Sequence, residues 1–177
     1  MILKVFADGT MTELCTPIVY GSPKVAAYHR KVMDISANFS IINEANAAMD
    51  GRLNVLSCTD DELKVELTKA TTEAGKAALD ALERALQDYR DGLIDVLVTA
   101  PFNKRAMDKE GFGYTGHTEY LEKKFEVDEV AMIMVCDRLK VCVATGHIPL
   151  KEVPNQLTTE KILKKLRLMK SSLQRDF

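Results

Sequence analysis

Residues 93–100 read LIDVLVTA, apolar on successive positions rather than alternate ones, and they follow directly on the strongest helix signal in the chain. A strand with that pattern needs cover on both faces, which parallel sheets flanked by helices provide. The helix signal spans roughly Thr72 to Tyr89. Its apolar positions Ala74, Ala78, Ala81, Leu82, Ala85 and Tyr89 recur at the i, i+4, i+7 spacing that gathers one buried face. Helix feeding a doubly covered strand is the grammar of an α/β fold, and it excludes most all-helical and all-β arrangements.

The same alternation runs through the rest of the chain. CTPIVYG (15–21) reads as a strand, and SPKVAAYHRKVMD follows with Ser22 as N-cap and Pro23 at the first helical position. FSIIN and RLNVLSC are two shorter β-rich runs. VAMIMVC and LKVCVATG are again apolar on successive residues, and only Asp137 and Arg138 separate them, which predicts a hairpin despite the lack of a turn glycine. A last helix from about Thr159 places Ile162, Leu166, Met169 and Leu173 on one face.

Two features of the layout stand out. An amphipathic segment with Ile2, Leu3 and Phe6 opens the chain with no strand before it to pack on, and the final helix has no strand after it. Helices of an α/β sheet normally lie between strands. The expectation is a partial α/β fold from which both ends are missing; the competing reading is a small three-layer domain closed by its terminal helices. Length alone predicts one domain over 1–177, with no internal linker.

Composition matters mainly for what it excludes. A net charge of -2 and a pI near 6.0 provide no basic field for nucleic acid. No apolar run approaches the ~20 residues that span a bilayer, and the first ten residues do not make a secretory signal. These points predict a cytoplasmic protein without membrane or nucleic-acid partners. Cys15, Cys58, Cys136 and Cys142 form no C-x-x-C pair, and each lies in or beside an apolar run, so buried reduced thiols are expected.

Three loops carry candidate chemistry. In VTAPFNK (98–104), Thr99, Asn103 and Lys104 leave the carboxyl end of the predicted strand, where open α/β sheets bind ligands. The plainer reading makes Pro101 a turn, Asn103 a helix cap and Lys104 a solvated charge. In TGHTEYLEKK (115–124), Thr115 or Thr118 can cap a helix whose first turn favours an anion beside His117, or His117 is an ordinary surface residue. His147 in GHIPL follows a strand, in a loop stiffened by Pro149. It is either a loop residue or one donor to a divalent metal, where a catalytic site takes about three protein ligands. His29, the remaining histidine, lies within the Ser22 to Asp34 helix and reads as a packing or surface residue. No P-loop, serine-hydrolase elbow or H-E-x-x-H motif occurs, and a Rossmann-type glycine-rich loop is likewise expected to be absent.

Taken together and in order, LVTAPFNK, GYTGHTEYL and VATGHIPLKEVP resemble the signature blocks of the 4-hydroxythreonine-4-phosphate dehydrogenase (PdxA) family, and EAGKAALDALERAL resembles the helix before the first block. The resemblance implies a three-layer fold similar to isocitrate and isopropylmalate dehydrogenases. It implies oxidation of 4-phosphooxy-threonine with NAD and a divalent metal (Zn, Mg or Co), then decarboxylation, in a homodimer serving pyridoxal phosphate biosynthesis. His117 and Thr118 then resemble the substrate-contacting pair, and His147 resembles a metal-ligand histidine, while Lys104 is a possible electrostatic partner of the substrate anion. Cofactor residues are not assigned.

Members of the family also carry an early glycine-rich G-D/E-P-x-G-I-G segment and later N-P-H-A-G-E and H-D-Q-G blocks, which resemble the sources of the other two metal ligands. None of these occurs in this chain, so its own activity is expected to be impaired. An inactive remnant and a small metal hydrolase built on His29, His117 and His147 are the alternatives.

Overall fold

The computed structural model describes residues 1–60, 63–103, 106–107, 113–114 and 116–177. They form two compact units, Met1–Thr115 and Gly116–Phe177.

The first unit is built on a parallel sheet of β1 (Ile18–Gly21), β2 (Phe39–Ile42) and β3 (Leu53–Ser57), in the order β1-β3-β2. Register pairs Val19 and Ile41 with Val55, and Tyr20 and Ile42 with Leu56. The central strand carries the core: Leu53, Asn54, Val55 and Leu56 are all at most 2% exposed. Because side chains alternate along a strand, Leu53 and Leu56 serve opposite faces. On one side Leu53 meets Leu3, Ala37, Phe6, Val19 and Phe39. On the other, Leu56 meets Ile42, Ala45, Tyr20 and Ile94. Helix α1 (Ile2–Val5) therefore packs through Leu3 on this face of the sheet.

Helix α2 spans Thr10–Leu14. Helix α3 (Pro23–Val32) begins as its sequence predicts, with the Ser22 hydroxyl accepting from the Val25 N–H at 3.3 Å and Pro23 at the first position. Helix α4 (Thr72–Arg90) is capped by Thr71, whose hydroxyl accepts from the Ala74 N–H at 3.2 Å; it packs on β1 and buries Leu82, Ala85 and Leu86. Helix on one face, sheet, and helix on the other make a three-layer α/β arrangement in this unit.

The expected strand at 93–100 does not form. Ile94 joins the core, but Val96 and Val98 are 73% and 86% exposed. An apolar pattern states a preference for burial, whereas a strand also needs a partner ladder. Here β3 is already paired on both sides, and this segment adds to neither remaining edge among the described residues.

The second unit holds α5 (His117–Lys124), β4 (Ile133–Cys136), β5 (Leu139–Cys142), α6 (Val153–Gln156) and α7 (Thr159–Asp176). Strands β4 and β5 form the expected hairpin across Asp137 and Arg138, antiparallel with Cys136 opposite Leu139. They are not covered on both faces: Met134, Val135 and Leu139 are each more than half exposed. Helix α7 starts where Thr158 caps the Lys161 N–H at 3.2 Å, and its predicted apolar face is partly open, with Ile162 and Leu166 exposed. Lys165 ties α7 to the segment before β4 through an ion pair with Glu129 and a 2.5 Å hydrogen bond to the Val130 carbonyl.

The cysteines are reduced, but not buried as a group: Cys15 and Cys136 are exposed, and Cys58 and Cys142 are half-buried.

Candidate metal and anion site

Gly116 is the N-cap of α5, with an extended backbone and, being glycine, no side chain of its own to cap the first turn. This corrects the expectation that Thr118 caps: it lies one residue inside the helix and is exposed. Thr115 lies outside the described residues. His117 opens the helix, half-buried, and Glu119 adds a carboxylate to the first turn, where the helix dipole favours negative charge. First-turn N–H groups without a side-chain cap are suited to a phosphate or carboxylate oxygen.

The same unit carries His147 in the loop after β5. Its φ of +55° lies in the left-handed region, uncommon for a residue with a Cβ. Its side chain is 68% exposed, and its Nε2 lies 3.6 Å from Glu119 Oε1. Thus the loop and the first turn of α5 meet through a histidine and a carboxylate 28 residues apart, which no periodicity connects. The only sequence hint of Glu119 was its place as the third residue of the α5 segment, HTE.

An exposed imidazole fits the chemistry of one donor to a borderline divalent metal. Among the described residues, however, no three His, Cys, Asp or Glu side chains gather into a metal site. That removes the support for a hydrolase built on three histidines. His29 instead sits in α3 with its ring edge-on to Tyr28, centroids 5.5 Å apart.

The other loop candidates divide. Thr99 is exposed, and Asn103 caps the turn that follows, its Oδ1 accepting from the Ala106 N–H at 3.3 Å. Lys104 lies outside the described residues. The expectation about the glycine-rich loop is corrected by the sequence: Gly111, Gly113 and Gly116 do have G-x-G-x-x-G spacing just before α5. A dinucleotide fingerprint also requires a strand leading into the loop. None leads in among the described residues, and Gly111 lies outside them, so the spacing assigns no cofactor.

A polar network in the first unit was missed by the sequence reading. Tyr20 Oη donates to Asp88 Oδ2 at 2.8 Å, and Arg84 Nε donates to Asp88 Oδ1 at 3.0 Å, with Asp88 only 3% exposed. Burial, reinforced by the hydrogen bond to Asp88, drives the Tyr20 phenol well above its usual range; burial likewise pushes the Cys58 thiol up to about 11. Both groups stay protonated at neutral pH, which suits a structural tie between β1 and α4 and makes Cys58 a poor nucleophile. The i, i+4 spacing of Arg84 and Asp88 was legible; the Tyr20 partner, 68 residues away, was not.

Known proteins place this arrangement in context. The family model described as pyridoxal phosphate biosynthetic protein PdxA matches residues 13–177. A 4-hydroxythreonine-4-phosphate dehydrogenase of Bacteroides thetaiotaomicron is 53% identical over 100% of this chain and 49% of its own length. One from Aquifex aeolicus is 36% identical over 93% of this chain and 51% of its own. The crystal structure of a 4-hydroxythreonine-4-phosphate dehydrogenase from Burkholderia phymatum superposes with a TM-score of 0.85 at 26% identity, over 98% of this chain and 53% of that one. The chain therefore spans about half the length of the curated relatives it matches. With a family model matching nearly all of its residues and an α/β fold shared with these dehydrogenases, the chain belongs to the PdxA family.

Proposed function

We propose that this chain contributes the anion-anchoring and first metal-donor segments of a 4-hydroxythreonine-4-phosphate dehydrogenase. The reaction is oxidation of the 4-phosphooxy-L-threonine carbinol with NAD, then decarboxylation, for pyridoxal phosphate synthesis. The carrying observation is the meeting, within one compact unit, of the first turn of α5, which begins at Gly116, with the loop bearing His147.

The residues have separate tasks. His117 and Thr118, with the first-turn N–H groups of α5, hold an anionic group of the substrate. His147 offers an imidazole to a divalent ion, which when bound polarises the substrate hydroxyl and steadies the charge that develops as carbon dioxide leaves. Lys104 adds positive charge for the substrate anion. In this reading both units belong to one dehydrogenase domain that works as a cytoplasmic homodimer; no helix among the described residues is long and apolar enough to cross a membrane.

Substrate choice is open to a neighbouring chemistry. A relative from Oceanobacillus iheyensis, 29% identical over 98% of this chain, is named for D-threonate 4-phosphate. Both compounds pair a phosphate with a hydroxy acid, and an anion-binding helix terminus serves either.

Titrating the purified chain with 4-phosphooxy-L-threonine tests the reading. Saturable binding that His117→Ala weakens at least ~10-fold is expected, because it removes a charge-assisted contact. Equal binding by the variant overturns the assignment. NADH formation by the chain alone is expected to be far below that of a full-length relative, since among the described residues no three donors gather, where a catalytic metal takes about three protein ligands.

A further inference from the structure

We propose that Glu119 is a positioning residue for His147, holding one imidazole nitrogen so that the other is presented to the metal; this rests on His147 being a metal donor. In this structure the nitrogen nearer the carboxylate is Nε2, 3.6 Å from Glu119 Oε1, which leaves Nδ1 for the ion. The separation exceeds the ~2.7–3.2 Å of a formed N–H···O bond, and the positioning role requires the two side chains to draw together when the ion binds. Histidines that bind metals commonly pass their second N–H to a carboxylate, which sets the tautomer and ring orientation.

Three features set the pair apart from a casual surface contact. His147 adopts a left-handed φ of +55°, uncommon for a residue with a Cβ, in a loop with Pro149 two residues on. Glu119 is fixed on a helix turn rather than a mobile loop, and its side chain is only 31% exposed. The imidazole is otherwise open, 68% exposed, as a donor awaiting a ligand must be.

Cobalt(II) titration of the chain, followed by broadening of histidine ring-proton signals, tests the proposal without turnover. The His147 signals, assigned by their loss in His147→Ala, should broaden with a midpoint that Glu119→Gln raises by roughly 10-fold or more. Glu119→Asp, which withdraws the carboxylate by one methylene, should fall between. Glu122→Gln removes the same charge from the same helix and should leave the midpoint unchanged, as should His29 in every variant. An unmoved midpoint in Glu119→Gln, or an equal shift in Glu122→Gln, overturns the positioning role while leaving His147 as a donor. Absence of broadening at His147 in the unsubstituted chain overturns the donor reading itself, and the positioning role with it.

Discussion

Asn54 shows how a polar side chain earns a place at the centre of a sheet. It is fully buried on β3, yet its amide is satisfied: Nδ2 donates to the carbonyls of Pro17, Met49 and Arg52 at 3.0–3.2 Å, and Oδ1 accepts from the Met49 N–H at 3.0 Å. These bonds tie the turn before β3 to the start of β1. Asn54→Ala removes these four side-chain bonds at once and leaves the Pro17 carbonyl only the Asn54 backbone N–H, so a loss of about 1–3 kcal/mol is expected. Urea unfolding measures it, and a midpoint equal to that of the unsubstituted chain would show that water replaces the amide. The sequence marks Asn54 only as a polar interruption within an apolar run; its value comes from carbonyls brought near by the fold. Glu119 and His147 repeat that lesson, because each lies in a recognisable block but their contact belongs to neither.

Ala74 and Tyr89 of the expected apolar face are exposed, but Leu82 and Ala85 are buried, and the span of helix α4 to near Arg90 was readable. Gly75 within it was not. A Cβ there would collide with the backbone carbonyl of Ala106, whose segment packs tightly with Met107 at 1% exposure. Helix propensity favours Gly75→Ala by about 1 kcal/mol. Overpacking against backbone, which cannot rotate aside, costs about 1–3 kcal/mol. The collision should win, lowering the thermal midpoint, whereas a raised midpoint would mean that the Ala106 segment moves away at little cost. The run at 93–100 is the opposite case, an element whose local pattern was strong and whose strand does not form.

The chain as a whole should lose stability as the solution becomes alkaline. Unfolded, a thiol releases its proton near pH 9.0; folded, Cys58 holds it to about 11. Between those values the native state binds more protons, so stability falls as pH rises through the window and is fully present below it. The raised Tyr20 phenol acts in the same direction at higher pH. Cys58→Ser removes the thiol titration and should flatten the decline between pH 9.0 and about 11, followed by urea unfolding across that range. An identical slope in both proteins would show that Cys58 titrates alike folded and unfolded.

Local chemistry in the sequence by itself determined the α/β class, the cap at Ser22, the helix starts near Thr72 and Thr159, the two-residue hairpin at Asp137 and Arg138, and the blocks that place the chain in its family. These depend on neighbours within a few residues, which the chain order lists directly. Only the tertiary structure decided that Tyr20 meets Asp88, that Asn54 joins Pro17 to Met49, that Val96 and Val98 face solvent and that His147 turns toward Glu119. The reason is physical: hydrogen bonding and burial act through space, and residues far apart in sequence become partners only when the backbone has closed the distance between them.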